Sequence, residues 1–293
     1  MLDTLALAII KTLGRLPMAW ARGLGAMLGR LALLFNVNMV RVTRRNIAYC
    51  LGDLTPDQQQ RLVRASVLET ARLALESTVV WRCDRPALLK LITAVHGREH
   101  FDRAKDMGKG VIILAPHLGN WEVLGRYLDQ LGDATLMFQP QKLPQVSDYI
   151  KAGRGRFGAT LVATDRRGLM QMVAALKKGG LTGVLPDQTP KDDKSGLLAP
   201  FFNRPAFTMT LVCKLIQNTG CGAVFGYARR IAGGFEIYFR PAPAKLFSED
   251  LAEAVAALNL GVSEAVLEVP EQYQWEYKRF KHNGDKSLYD NLV

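Results

Sequence analysis

His117 and Glu122 stand five positions apart in the stretch Val111-Ile112-Ile113-Leu114-Ala115-Pro116-His117-Leu118-Gly119-Asn120-Trp121-Glu122. A neutral imidazole takes up a proton on one nitrogen when an acceptor such as a carboxylate fixes the other. Beside an acyl group, such a base activates a hydroxyl for attack. The bland alternative is a loop histidine followed by a helix-start glutamate, and spacing alone does not separate the two.

The flanking residues say how such a pair would be held. Residues 111–115 are small or branched apolar residues and read as a buried strand. Pro116 stops that strand because it has no N–H to donate. A glycine turn follows, then a helix over 121–131 that puts Glu122 in its first turn, where negative charge is favoured. Functional residues of open α/β sheets collect at the C-terminal ends of strands, and His117 lies at such an end.

The same alternation continues along the chain. Strands are expected at 135–139, 160–162, 181–185, 223–230 and 235–239, and helices at 146–152, 168–178, 207–217 and 249–269. Upstream, Thr55-Pro56 opens a helix over about 56–80 with Thr55 as N-cap; shorter helices follow Arg85-Pro86 and occupy 101–107. The fold class is α/β, a mixed sheet flanked by helices, with an N-terminal helical membrane-associating segment. Residues 1–45 are expected to form amphipathic, membrane-associating helices, and residues 46–293 a single α/β domain. Lys11, Arg15 and Arg22, four and seven apart, are expected to share one helix face, where cations would meet lipid headgroups. A helix packed on the protein's own core is the competing reading.

Composition narrows the class of function. Apolar residues make up 48% of the 293-residue chain and charged residues 22%, which indicates an ordered globular protein. The formal net charge of +11 favours acidic or phosphate-rich partners: nucleic acid, anionic lipid or an acidic carrier protein. Nucleic acid fits poorly, because no reader module is recognisable and the basic residues are spread along the chain. Cys50, Cys83, Cys213 and Cys221 have no C-x-x-C spacing and read as free, buried thiols in a reducing compartment. No secretory signal and no run of about 18–20 apolar residues is expected at the N-terminus. No metal-ligand pattern is present, and the absence of a Gly-x-Ser-x-Gly elbow argues against an α/β-hydrolase.

Two further stretches bear on chemistry. Gly153-Arg154-Gly155-Arg156-Phe157-Gly158 matches G-x-G-x-x-G, but a helix precedes it and no helix opens after it, so it is not a dinucleotide fingerprint. It reads as a flexible turn presenting Arg154 and Arg156. A guanidinium there would stabilise an oxyanion or grip a phosphate, unless the pair is merely solvated. Asp187 and Gln188 follow the 181–185 strand and either line a site or form a turn with Pro186.

Taken together, the His-x-x-x-x-Glu motif, Gly153–Arg156, Leu185-Pro186-Asp187-Gln188 followed by Pro200-Phe201-Phe202, and Pro270-Glu271-Gln272-Tyr273-Gln274-Trp275 with Lys278-Arg279-Phe280-Lys281 resemble the bacterial late acyltransferases of lipid A biosynthesis, the lauroyl and myristoyl transferase family. The resemblance spans nearly the whole chain. It implies transfer of a fatty acyl chain from acyl carrier protein to a hydroxyl of a lipid A precursor at the cytoplasmic face of the inner membrane. His117 and Glu122 would be catalytic, with Glu122 orienting His117. Arg154, Asp187, Gln188, Asn120 and Arg156 would bind substrate or the oxyanion. The carrier thioester would be co-substrate, with no other cofactor and no metal. The expected partners are acyl carrier protein, the lipid A precursor and an anionic membrane surface, with no nucleic acid. An acyltransferase acting on another glycolipid or a lysophospholipid, and a non-catalytic membrane-surface module, are the competing functions.

Overall fold

A computed structural model of the chain describes residues 1–190, 192–282 and 286–290. The N-terminal part is helical: α1 (Leu2–Leu13), α2 (Met18–Leu34), α3 (Asn38–Cys50), α4 (Pro56–Arg82) and α5 (Arg85–Leu91). An edge strand β1 (Ile92–His96) and helix α6 (Arg98–Asp106) lead into β2 (Val111–Leu114), α7 (Trp121–Tyr127), β3 (Ala134–Phe138), α8 (Pro144–Gly155), β4 (Thr160–Ala163), α9 (Arg166–Lys177) and β5 (Leu181–Val184). A hairpin of β6 (Gly196–Phe201) and β7 (Arg204–Met209) follows, then α10 (Leu211–Thr219), β8 (Gly222–Ile231), β9 (Gly234–Pro241) and α11 (Leu251–Glu268).

Seven strands form one sheet in the order β1-β9-β8-β2-β5-β3-β4. Every neighbouring pair is parallel except the β8–β9 hairpin. β2 is central, and Val111 to Leu114 have no exposed surface, as a strand covered on both faces requires. Alternate residues of β2 enter opposite layers: Ile112 and Leu114 join the core under α9, α10 and α11, and Val111 and Ile113 the core under α6 and α7. Thr55 caps α4 through a capping box with Gln58, as its sequence indicates.

Three expectations are corrected, and one edge strand was not expected. Strand β1 pairs parallel to β9 at the sheet edge; its half-exposed Ile-Thr-Ala-Val-His run carries too weak an apolar alternation to be seen. The helix expected at 207–217 is a strand up to Met209 and a helix only from Leu211; Phe202 and Asn203, both at positive φ, turn the β6–β7 hairpin. The Gly153–Arg156 segment is not a flexible turn: it closes α8, because the bare Cα of Gly153 lets that helix sit against Trp81. Arg22 does not share an outward face with Lys11 and Arg15. The chain breaks between α1 and α2, which resets the helical phase, and Arg22 turns inward to Glu76 of α4.

Ala21, Gly25, Ala26 and Gly29 form the buried side of α2 against α4, while Trp20, Met27, Leu28, Leu31 and Leu34 are exposed. Helix α3 runs across residue 45, the boundary expected from sequence. Among the described residues no single helix is long and apolar enough to cross a membrane; α2 and α3 together have the length and composition but are bent by 81°. The four cysteines are free thiols, with Cys213 and Cys221 buried and Cys50 and Cys83 half-buried.

Candidate active site

β2 and β5 are adjacent and parallel, so their C-terminal ends bring two loops side by side. His117 leaves the end of β2, and Asp187 and Gln188 leave the end of β5. Asp187 holds the histidine at two points: its Oδ1 lies 2.8 Å from the ring Nδ1, and its Oδ2 accepts from the His117 backbone N–H at 2.9 Å. Burial works against the Asp187 carboxylate, but the His117 charge and these hydrogen bonds outweigh it and hold the carboxyl below its usual range. An ionised Asp187 takes Nδ1–H as donor, which leaves the Nε2 lone pair as the basic position. The side-chain amide of Gln188 lies 3.1 Å from Nε2 and donates to it in that tautomer. Trp121 packs edge-on against the ring, centroids 4.8 Å apart.

The acceptor on Nδ1 is therefore Asp187, not Glu122, the residue the family resemblance implied. Glu122 lies in the first turn of α7 and is buried, and both of its oxygens accept from Arg154: Oε2 from Nε at 2.9 Å and Oε1 from Nη2. For Arg154, the Glu122 charge and hydrogen bond overcome burial and raise its already high pKa. The bidentate pair fixes the guanidinium, which lies over the Phe138 ring at 5.7 Å and stays partly exposed.

The loop between β2 and α7 is tied on both sides. Gly119 adopts φ +62°, and a Cβ there would come within 2.1 Å of the Ala228 carbonyl oxygen of β8. The Asn120 N–H donates to that same carbonyl at 2.8 Å. On the other side the C-terminal segment runs antiparallel beside the loop, with Leu118 bridged to Tyr273. Gly119 N–H donates to Gln272 O and Gln274 N–H to His117 O, each at 3.0 Å. The Gln272 side chain in turn bonds both the N–H and the C=O of Arg230 in β8. This is the structural task of the Pro270–Trp275 stretch singled out in the sequence.

Asn120 is fully buried, and its side chain is engaged within the protein. Its Oδ1 caps α7 by accepting from Val123 N–H, and its Nδ2 donates to Glu76 Oε2 at 2.9 Å. Glu76 has no exposed surface and is gripped by Arg230 through Nε and Nη2, both at 2.6 Å, and by Arg22 through Nε at 2.6 Å. Burial disfavours this carboxylate, yet the two guanidinium groups and Asn120 hold it ionised below the usual range. Arg22 also donates to the carbonyls of Ile231 and Gly234, which anchors α2 to the β8–β9 hairpin. Sequence reading missed Glu76, although a carboxylate between Leu73 and Val80 on the apolar stripe of α4 was the available signal.

Two more groups, buried Tyr273 and half-buried Glu276, face Asp187 and His117. Burial first, and the Asp187 charge next, keep the Tyr273 hydroxyl protonated well above the usual range. Burial pushes the Glu276 carboxyl up, against a hydrogen bond from Thr70 Oγ1 and the His117 charge. Arg156 is not brought to this centre; its Nη1 donates to Arg82 O at 2.8 Å, at the far end of α4 from its cap. Arg166 and Arg167 open α9. Among the described residues no group of three potential metal ligands occurs.

Comparison with known proteins bears on what this centre does. A family model described as bacterial lipid A biosynthesis acyltransferase matches residues 1–282. The chain is 24% identical over 282 residues to the lipid A biosynthesis lauroyltransferase of Escherichia coli (strain K12), covering 96% of this chain and 91% of that protein. It is 24% identical over 271 residues to the lipid A biosynthesis palmitoleoyltransferase of the same strain, covering 91% and 87%. It is 25% identical over 249 residues to a lipid A biosynthesis acyltransferase of Haemophilus influenzae, covering 84% and 77%. The chain thus belongs to the bacterial lipid A biosynthesis acyltransferase family and is an acyltransferase.

Proposed function

We propose that the enzyme transfers a fatty acyl chain from the thioester of acyl carrier protein to a hydroxyl of a lipid A precursor, with His117 as general base and Asp187, not Glu122, as the group that orients it. The observation that carries this reading is the two-point hold of Asp187 on His117, which leaves Nε2 as the basic nitrogen. The acceptor hydroxyl takes the place of the Gln188 amide at Nε2 and gives up its proton there. Its oxygen bonds to the thioester carbonyl carbon. The tetrahedral oxyanion then collapses, the carbon–sulfur bond breaks, and the leaving thiolate takes the proton from the imidazolium. The products are an ester and the free thiol of the carrier. Arg154, fixed by Glu122, supplies positive charge to the oxyanion or to a substrate phosphate. No acyl-enzyme is required, so the absence of a nucleophile motif is no objection.

The reading extends to the inner membrane's cytoplasmic face. The faces of α1 and α2 turned away from the protein carry Leu2, Leu5 and Ile9, and Trp20, Met27, Leu28, Leu31 and Leu34, all exposed. An apolar surface of this kind with nearby cations is suited to lie in a membrane interface. The test is acyl transfer by purified protein with a panel of acyl-carrier thioesters and a lipid A precursor. Transfer by the wild type and its loss in His117→Ala are expected. Transfer that survives His117→Ala, or transfer only to another glycolipid or a lysophospholipid, would overturn the reading.

A further inference from the structure

We propose a second, anion-binding site that takes a phosphate ester of a lipid, in a cavity of about 600 Å³ between α1, α4, α5 and α8. Lys11, Arg15, Arg82 and Arg156 all line it. Each comes from a different segment: Lys11 from α1, Arg15 from the turn after it, Arg82 from the last position of α4, and Arg156 from just beyond α8. Among the described residues none of the four has a carboxylate within ion-pair distance. Asp84 is the one acid in the lining, and its Oδ1 is already engaged by the Ala87 N–H as the cap of α5.

Four like charges facing one concavity repel one another unless an anion sits among them. Two of them are pre-positioned: Arg156 donates one N–H to Arg82 O at 2.8 Å and keeps its other donors, and the Lys11 ammonium lies over the Tyr149 ring at 5.8 Å. Guanidinium forks and an ammonium are the side-chain groups whose chemistry suits a phosphate. The setting indicates a lipid phosphate. One face of α1 packs on α8 through Ala6, Leu7 and Ile10, and the other carries exposed Leu2, Leu5 and Ile9. Cations at the foot of such an apolar helix meet phosphates at headgroup level. The phosphate belongs either to the acceptor or to the surrounding phospholipid. The first case rests on the function proposed above; the second does not.

The test uses the full chain and two double variants of equal charge loss: Arg15→Gln/Arg82→Gln in the cavity, and Lys177→Gln/Lys178→Gln at the end of α9, which does not line it. Sedimentation with phosphatidylcholine vesicles containing phosphatidic acid reads the phospholipid source. KM for a phosphorylated acceptor in phospholipid-free micelles reads the acceptor source. The cavity pair should weaken one reading by about thirtyfold, the effect of two cations lost at an anionic surface, while the α9 pair moves neither beyond about threefold. Equal losses in both pairs, or no loss in the cavity pair, would overturn the site. If the cavity pair melts below the wild type, Lys11→Gln alone carries the same comparison at about fivefold. A wild type without acyl transfer would refute the proposed function and leave the vesicle comparison to decide the site.

Discussion

His117 and Asp187 act as a unit. Asp187→Asn keeps the volume of the carboxyl but offers a single acceptor oxygen where the backbone N–H and the ring N–H of His117 now share two. The ring is then free to take the wrong tautomer, and kcat should fall by about 10²–10⁴-fold, the scale of general-base assistance. Glu122 belongs to a different pair. Glu122→Gln and Arg154→Gln each break the same bidentate contact, so the double variant should lose little more transfer than either single one. Additive losses in that cycle, measured as kcat/KM, would separate Glu122 from Arg154 and return it to the histidine.

The loop between β2 and α7 is set by elements on every side, and its glycine and asparagine carry that load. Gly119→Ala would drive a Cβ into the Ala228 carbonyl at positive φ, so β8 or the loop must shift. Stability should fall by about 1–3 kcal/mol and transfer should fall with it, as urea unfolding and the acyl assay would show together. Asn120→Ala removes a buried cap and leaves Glu76 one donor short, which should cost about 2 kcal/mol. A fully stable Asn120→Ala would mean that the cap and the Glu76 contact contribute nothing. Helix α2 is tied to the same loop through Arg22, Glu76 and Asn120, so the outward apolar helix and the loop that carries His117 are joined by one buried network.

Across the whole molecule, the charged core makes stability depend on pH with a definite sign. The carboxyls of Glu76 and Asp187 lie below their ordinary values of 4.5 and 3.8. The stability they contribute is therefore fully present above those values and is lost as pH falls through their lower folded ones. Glu276 has the opposite sign: its carboxyl is raised, so the fold favours its protonated form and gives up stability as pH rises above 4.5. Glu76→Gln should cost about 3 kcal/mol near neutral pH, because half-buried Arg22 loses its counter-charge and buried Arg230 is left with Glu69 alone, and should flatten the acid limb of the stability curve. An unchanged acid limb, followed by denaturant unfolding as pH is lowered, would contradict this.

Much of the fold was legible because it rests on local signals. The Val111–Leu114 run, the Thr55 cap and the alternation after residue 110 are each written within a few neighbouring positions. The pairing of His117 was not legible. Asp187 is 70 positions away and reaches the imidazole only because β5 lies beside β2, whereas the nearer Glu122 turns to Arg154. The partners of Glu76 were hidden for the same reason: they come from α2, β8 and the start of α7.

The most direct test is steady-state transfer from an acyl-carrier thioester to a lipid A precursor by Asp187→Asn, beside wild type and His117→Ala. The expected result is a kcat within about tenfold of that of His117→Ala, with a melting curve like that of the wild type. A kcat near that of the wild type would show that Asp187 does not orient the base.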